Sequence, residues 1–262
     1  MAFNPNEMII DRVRYVTFND LKTGEQQFML TQLEDPSLNC TAEGEDVVDA
    51  VGALITTLYR SKQAEFTASN SLFSLNLAAA QLGSQKEVAS AESKIEVYKY
   101  QFIDVPAEAT SVTLAETPVA NSVQYIYAVE NGVSTDSYKA GSTASATEFK
   151  IEGKEITLPT LGDGKKLDKI FVEYKYESEN AVRVVNSASD FPEVGTAHIY
   201  VIFKDVCTEE VIAGQIIFNK AKLDPSSVEL ALTATGKHAF TLKAFKDYCS
   251  EDEELYTIIV TQ

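Results

Sequence analysis

The side chains able to do chemistry here are few and poorly placed for it. Acid–base and metal chemistry near neutral pH falls first to histidine. The only two, His198 and His238, stand forty residues apart with no ligand-like spacing. His198 opens an apolar run and reads as a packed or edge histidine. The three cysteines, Cys40, Cys207 and Cys249, are an odd number without a C-x-x-C pair. That argues against a disulfide framework or a zinc knuckle and for a reducing compartment. Cys207, between Val206 and Val211 with no base beside it, reads as a small buried hydrophobe and not as a nucleophile. Gly162-Asp163-Gly164-Lys165-Lys166 lacks the spacing and following helix of a phosphate loop and reads as a turn. Asn39-Cys40-Thr41 matches a glycosylation sequon, which has no meaning without a secretory route. The carboxylates are scattered, and the one dense run, Glu251 to Glu254, reads as a solvated turn. No catalytic, cofactor-binding or metal-ligating residue is expected, and an enzyme is the least favoured reading.

What must be explained instead is a scaffold. The 262 residues carry 22 basic against 39 acidic side chains, a formal net charge of −17. Such a body repels polyphosphate, so a stationary grip on nucleic acid is excluded. The acidic excess is spread along the chain, with no detachable basic arm. The start, Met1 to Glu7, has no basic segment followed by an apolar one, and nowhere do about 18 apolar residues run together. The expectation is a protein made and kept in the cytoplasm, without membrane insertion. Trp is absent, while 12 Tyr and 13 Phe sit among Val, Ile and Thr, residues that suit a pleated surface.

Period-two alternation is clearest at Ile170, Val172, Tyr174 and Tyr176, a half-buried strand. Phe149 and Ile151 alternate with charges before Gly153-Lys154 and then Ile156 and Leu158, a β-hairpin. His198–Phe203 and Gln215–Phe218 are apolar on both faces, as strands covered on both sides would be. Further strands are expected near Val13–Phe18, Phe28–Leu33, Leu54–Tyr59, Gln63–Thr67, Phe240–Ala244 and Leu255–Val260. One segment breaks the pattern. Ser69-Asn70 offers a cap, Leu72 to Leu82 is rich in Leu and Ala, and Gly83 supplies a stop, so a helix is expected there. Leu72, Leu75, Ala79 and Leu82 fall on its packing stripe. A charge at Leu75 is therefore expected to unfold or disassemble the protein.

Polar breaks at 85–94 and 177–180 frame an insert. Between them lie strand candidates at Ile95–Phe102, Ser111–Leu114, Val123–Val129, Phe149–Leu158 and Ile170–Tyr176, spaced as in a sandwich. The expected fold class is all-β with one short helix. Residues 1–93 and 181–262 form a discontinuous β-sandwich or barrel domain, and 94–180 an inserted small β-sandwich subdomain.

Three consecutive segments carry a family likeness: Asp46-Val47-Val48-Asp49-Ala50-Val51-Gly52-Ala53-Leu54-Ile55, then Tyr59-Arg60-Ser61-Lys62-Gln63-Ala64-Glu65-Phe66, then Ser69 through Gly83. Read as strand, turn, strand, strand and capped helix, they resemble the major tail proteins, or tail tube subunits, of tailed bacteriophages. The likeness is clearest over residues 25–92 and rests on strand pattern alone over 181–262. It implies rings, usually hexameric, whose strands line a channel wide enough for DNA, stacked into a tube in the virion tail and assembled in the host cytoplasm. The implied partners are further copies of the chain, a tape-measure protein, a tail terminator, and DNA in transit without specific binding. Met1–Asp11 and a loop at Leu33–Glu45 are the candidates for contacts between rings. Glu43, Glu45, Asp46, Asp49 and Glu65 are candidates for an acidic lumen, and the insert is expected on the outer surface. Two other readings stay open: another virion β-protein, such as a capsid decoration or tail terminator, or a host-surface binding module carried on 94–180.

Overall fold

The computed structural model describes residues 7–162, 167–206, 208–229, 232–233, 236–246 and 253–261. Met1 to Asn6, residues 163–166, Cys207, Cys249, Glu251 and Asp252 lie outside the described residues, with the readings made of them. In chain order the strands are β1 (Met8–Asp20), β2 (Gln26–Leu30), β3 (Leu33–Val48) and β4 (Leu54–Asn70), followed by the helix α1 (Leu75–Leu82). Next come β5 (Glu87–Val88), β6 (Ile95–Asp104), β7 (Ser111–Thr113), β8 (Tyr125–Glu130), β9 (Val133–Gly141), β10 (Glu148–Glu152), β11 (Glu155–Thr157), β12 (Lys169–Ser178) and β13 (Val182–Arg183). The chain ends with β14 (Val194–Asp205), β15 (Val211–Leu223), β16 (His238–Ala244) and β17 (Thr257–Thr261). The protein is all-β, with one α-helix among the described residues.

Two compact units result: residues 1–86 with 184–262, and residues 87–183. The first is built on an eight-stranded sheet in the order β2-β1-β14-β15-β16-β4-β3, with β17 paired to β15. Because β14 occupies one edge of β15, β16 and β17 share the other, at Ala221–Leu223 and Ala213–Ile217 respectively. On β14 every second residue is buried, Ala197, Ile199, Val201 and Phe203, as period-two patterning requires. The expectation that this strand is covered on both sides is corrected: His198, Tyr200 and Ile202, on its second face, are only half-buried. Phe28 on β2 reaches Phe240 on β16, ring centroids 6.3 Å apart, although three strands separate them in the sheet. The sheet therefore curls over a shared core, with Phe18 stacked on Phe28 and Phe66 against Phe240.

The helix begins later than the sequence suggests. Ser69 and Asn70 do not cap it: they are the last residues of β4, held between β3 and β16 by the pairs Leu33↔Asn70 and His238↔Asn70. Ladder bonds on both sides outweigh a local cap. Ser74 caps instead, its Oγ accepting from the Leu77 N–H. Gly83 closes the helix in the left-handed region, with the Ser84 N–H reaching back to Ala79 O at 2.9 Å. A Cβ at Gly83 would stand 2.2 Å from the Phe191 carbonyl oxygen, so the chain passes this turn only with glycine.

The second unit holds a seven-stranded sheet, β6-β12-β8-β9-β10-β11-β7, antiparallel except where β9 and β10 run parallel. Ile126, Phe149, Ile156, Ile170, Val172 and Tyr174 fill its core. Asn131 and Gly132, both at positive φ, form the two-residue turn joining β8 to β9. The expected hairpin around Gly153-Lys154 is β10–β11. β5 and β13 pair where the chain enters and leaves this unit.

Candidate functional site

Leu33–Glu45 is not a loop. It lies in β3, which with β4 makes a hairpin far longer than the sheet supporting it. β16 pairs with β4 only from Glu65 to Asn70. From Thr41 to Gln63 the two strands pair with each other alone among the described residues. Every side chain in that stretch is exposed except Thr57, which is half-buried. Pro36 escapes the ladder because the register shifts between Glu34 and Ser37, a bulge that also holds Asp35 at positive φ. At the tip, Asp49 Oδ1 accepts from the Val51 and Ala53 N–H groups at 2.9 and 2.8 Å, fixing the turn.

This ribbon is apolar as well as bare. Val48, Val51, Leu54, Ile55, Leu58 and Tyr59 all stand in solvent, Tyr59 with 74% of its surface exposed. An isolated two-stranded ribbon is marginal in water, and an exposed apolar patch of this kind marks an interaction surface. Leu54–Tyr59 is a strand expected from the sequence, but its lack of cover was not legible there: the alternation that marks a strand does not say whether the apolar face meets its own core.

Both ends of the eight-stranded sheet are open. Among the described residues β2 has no neighbour beyond β1, and β3 none beyond β4. Such edges present unpaired N–H and C=O groups to any further strand.

Four of the five acidic candidates ride on the hairpin. Glu43 faces Arg60 in register, Glu45 lies 3.7 Å from the Arg60 guanidinium, and Asp46 accepts from Thr57 Oγ1 at 2.7 Å. Asp49 serves the turn, and Glu65 sits at the root of the hairpin opposite Lys243. The helix candidates are dispersed: Leu72 precedes the helix and is 62% exposed, Leu75 is 37% exposed, Leu82 is half-buried and Ala79 is buried. The side chain that seats the helix in the core is Leu77, fully buried.

Of the groups considered for chemistry, His238 is buried and hydrogen-bonded. Its Nε2 lies 2.7 Å from Gln81 Oε1, while Gln81 Nε2 donates to Ala239 O, tying α1 to β16. Phe73 stacks over the ring at 5.4 Å, and Nδ1 has no hydrogen-bond partner among the described residues. Burial pushes the pKa of His238 below its ordinary 6.5. The unfolded chain therefore takes up a proton that the folded one refuses. Stability is complete above about pH 6.5 and falls as pH drops from there toward the lowered value. Urea unfolding midpoints should decline between about pH 6.5 and 5, before the carboxylates titrate. His238→Gln should flatten that decline. Cys40, exposed on β3, has its sulfur 3.2 Å from the Tyr256 hydroxyl, and the tyrosine's pKa is held up by its hydrogen bond with that sulfur and by burial. His198 lies on β14 between Thr17 and Ile217. No group of three or more His, Cys, Asp or Glu is arranged to hold a metal among the described residues, nor is any helix there long and apolar enough to cross a membrane.

The second unit carries one notable surface. Tyr98, Tyr100 and Phe102 are exposed along β6, Phe102 lies 5.0 Å from Phe171, Tyr127 6.1 Å from Phe171, and Tyr125 6.4 Å from Tyr127. The Lys175 ammonium sits 5.1 Å from the Tyr98 ring centroid.

A curled sheet with two open edges, a long bare apolar hairpin and one seated helix among the described residues make an all-β protein with surfaces left for association. The chain belongs to the YomU/Tube protein family, whose model matches residues 8–259. That family is one of phage-type tube proteins, and the chain is a phage tube-like structural protein. No curated protein matches it.

Proposed function

We propose that copies of this protein associate head to tail into rings, usually six-fold in such proteins, which stack as the tail tube delivering phage DNA. The observation that carries the reading is the pair of open edges on the eight-stranded sheet. β2 of one copy beside β3 of the next is a heterologous contact, and such contacts close into rings or grow into filaments. Edge pairing of this kind removes the aggregation hazard that both edges pose to a free monomer. The hairpin, whose first strand contains the expected ring-to-ring segment Leu33–Glu45, then serves as the arm that reaches another copy. A chain of net charge −17 gives the channel an acidic character, and duplex DNA slides through it because it offers few counterion-releasing contacts. The second unit stands outside the tube. Tape-measure and terminator proteins are the partners at the tube's interior and end, and the virion tail is its place.

Electron microscopy of the purified protein tests this. Long tubes with a constant lumen are expected. Persistent monomers or trimers that attach only to capsids would replace the reading with that of a decoration protein.

The aromatic face of the second unit favours an additional role as a recognition surface for a host glycan or protein. Tyrosine rings give large, rigid contact area at low entropic cost. Glycan arrays and host-cell pulldowns with the full chain should yield a signal that Tyr98→Ala and Tyr100→Ala together remove.

A further inference from the structure

The first unit gathers positive charge in one place despite its acidity. A cleft of about 850 Å³ on the first unit is lined by Lys62, Lys220, Lys222, Lys243 and Lys246, with Glu65 the one acidic side chain on its wall among the described residues. Lys222 and Lys243 are directly opposed across β15 and β16. Like charges in that position destabilise a sheet. Lys243 is compensated by Asp224, 2.6 Å away, whose carboxyl is held down to about 2 chiefly by that contact. Lys246 meets Glu253. The side chains of Lys62 and Lys222 have no hydrogen bond or ion pair with any described residue. Folding stability gives no reason for the Lys62 and Lys222 ammonium groups to stand here, and an anionic occupant does.

The chain also carries a complementary element. Between Ala42 and Arg60 the hairpin holds Glu43, Glu45, Asp46 and Asp49 against the single base Arg60. Its apolar side chains need cover, and the cleft offers Ala64, Val194, Ala244, Phe245 and Leu255 beside its lysines. The root of the hairpin forms one wall of the cleft, but its acidic end cannot reach the cleft of its own molecule. A strand rises about 3.3 Å per residue, so the turn at 49–53 stands roughly 30 Å beyond Gln63 at the cleft's rim. We infer that the lysine cleft is the receptor for the acidic hairpin of a second copy. The inference rests on the self-association proposed above and names its contact: hairpin of one molecule into cleft of the next, a heterologous joint that leaves a free hairpin and a free cleft for further growth.

Two charge-reversed full-length variants test it, K62E/K222E in the cleft and E43K/E45K in the hairpin. None of the four residues is buried, so both variants should fold with wild-type circular dichroism and melting temperature. Alone, each should need a concentration about tenfold or more higher to associate in sedimentation velocity. Mixed one to one, they should associate again, because intact hairpins meet intact clefts and reversed hairpins meet reversed clefts. About 1 M salt should weaken wild-type association, since screening then acts within about 3 Å. The inference is overturned if either variant alone associates like wild type, or if the mixture stays apart. It is equally overturned if K62E/K222E instead loses melting temperature, which would mean an occupant within the same chain, or if it loses only duplex DNA binding. The tube reading fails separately, if the mixture associates into particles that are not tubes.

Discussion

A Leu77→Asp variant is expected to lose the folded state of the discontinuous unit, while Leu75→Asp, two residues earlier on the same helix, folds. Leu77 is fully buried against the core of the curled sheet. Removing a buried leucine side chain costs about 2–5 kcal/mol, and an unpaired buried carboxylate adds several more. The sum rivals the roughly 5–15 kcal/mol that holds a domain together. Leu75 is 37% exposed and opens the helix, where a carboxylate sits favourably at the positive end of the dipole. Far-UV circular dichroism with urea titration separates the two. A wild-type midpoint for Leu77→Asp would remove the helix from the set of elements that hold the sheet closed.

That contrast also marks where the sequence was legible. The stripe Leu72, Leu75, Ala79 and Leu82 follows from a helix starting near residue 70, and once β4 runs to Asn70 the stripe shifts. Nothing local shows that residues 64–70 will have a partner on each side, because the partner β16 comes from the far end of the chain. The strands whose one face meets a core, such as β12 and β14, were readable from alternation alone. β9, with Ser, Thr and Asp on its open face, and β3, with almost no apolar alternation, were not. Both are strands because a neighbour across a turn supplies their hydrogen bonds. The candidate site suffered most, for the same reason: a ribbon that stands clear of its own fold has no burial pattern to leave in its sequence. The sequence shows the acids of the hairpin and one of its strands, but only the sheet around them makes the pair an uncovered arm.

Replacing residues 45–58 by Asn-Gly should therefore separate folding from assembly. The shortened hairpin would close from Gly44 to Tyr59, which already face each other, through a two-residue turn that Asn-Gly favours. No residue in 45–58 is buried, so the melting temperature should stay within a few degrees of wild type. What disappears is the apolar surface of Val48, Val51, Leu54, Ile55 and Leu58. Each such side chain contributes about 1.5–3 kcal/mol when fully buried. Losing all five at every joint removes far more than an association of ordinary strength can spare. The variant should sediment as single rings or smaller at concentrations where the wild type builds tubes, and electron micrographs should show separate particles without tubes. The removed segment also carries three of the hairpin's carboxylates, Glu45, Asp46 and Asp49, so two single-purpose variants divide the effect. Ile55→Ser with Leu54→Ser keeps the charge and loses apolar area; E43K/E45K keeps the area and reverses charge. If apolar cover drives the joint, the serine variant should fail to associate at any ionic strength. The charge variant should fail chiefly at low salt and recover part of its association as salt screens the repulsion. Tubes of normal length from the shortened hairpin would leave the sheet edges as the only joints, and the long arm without a role in assembly.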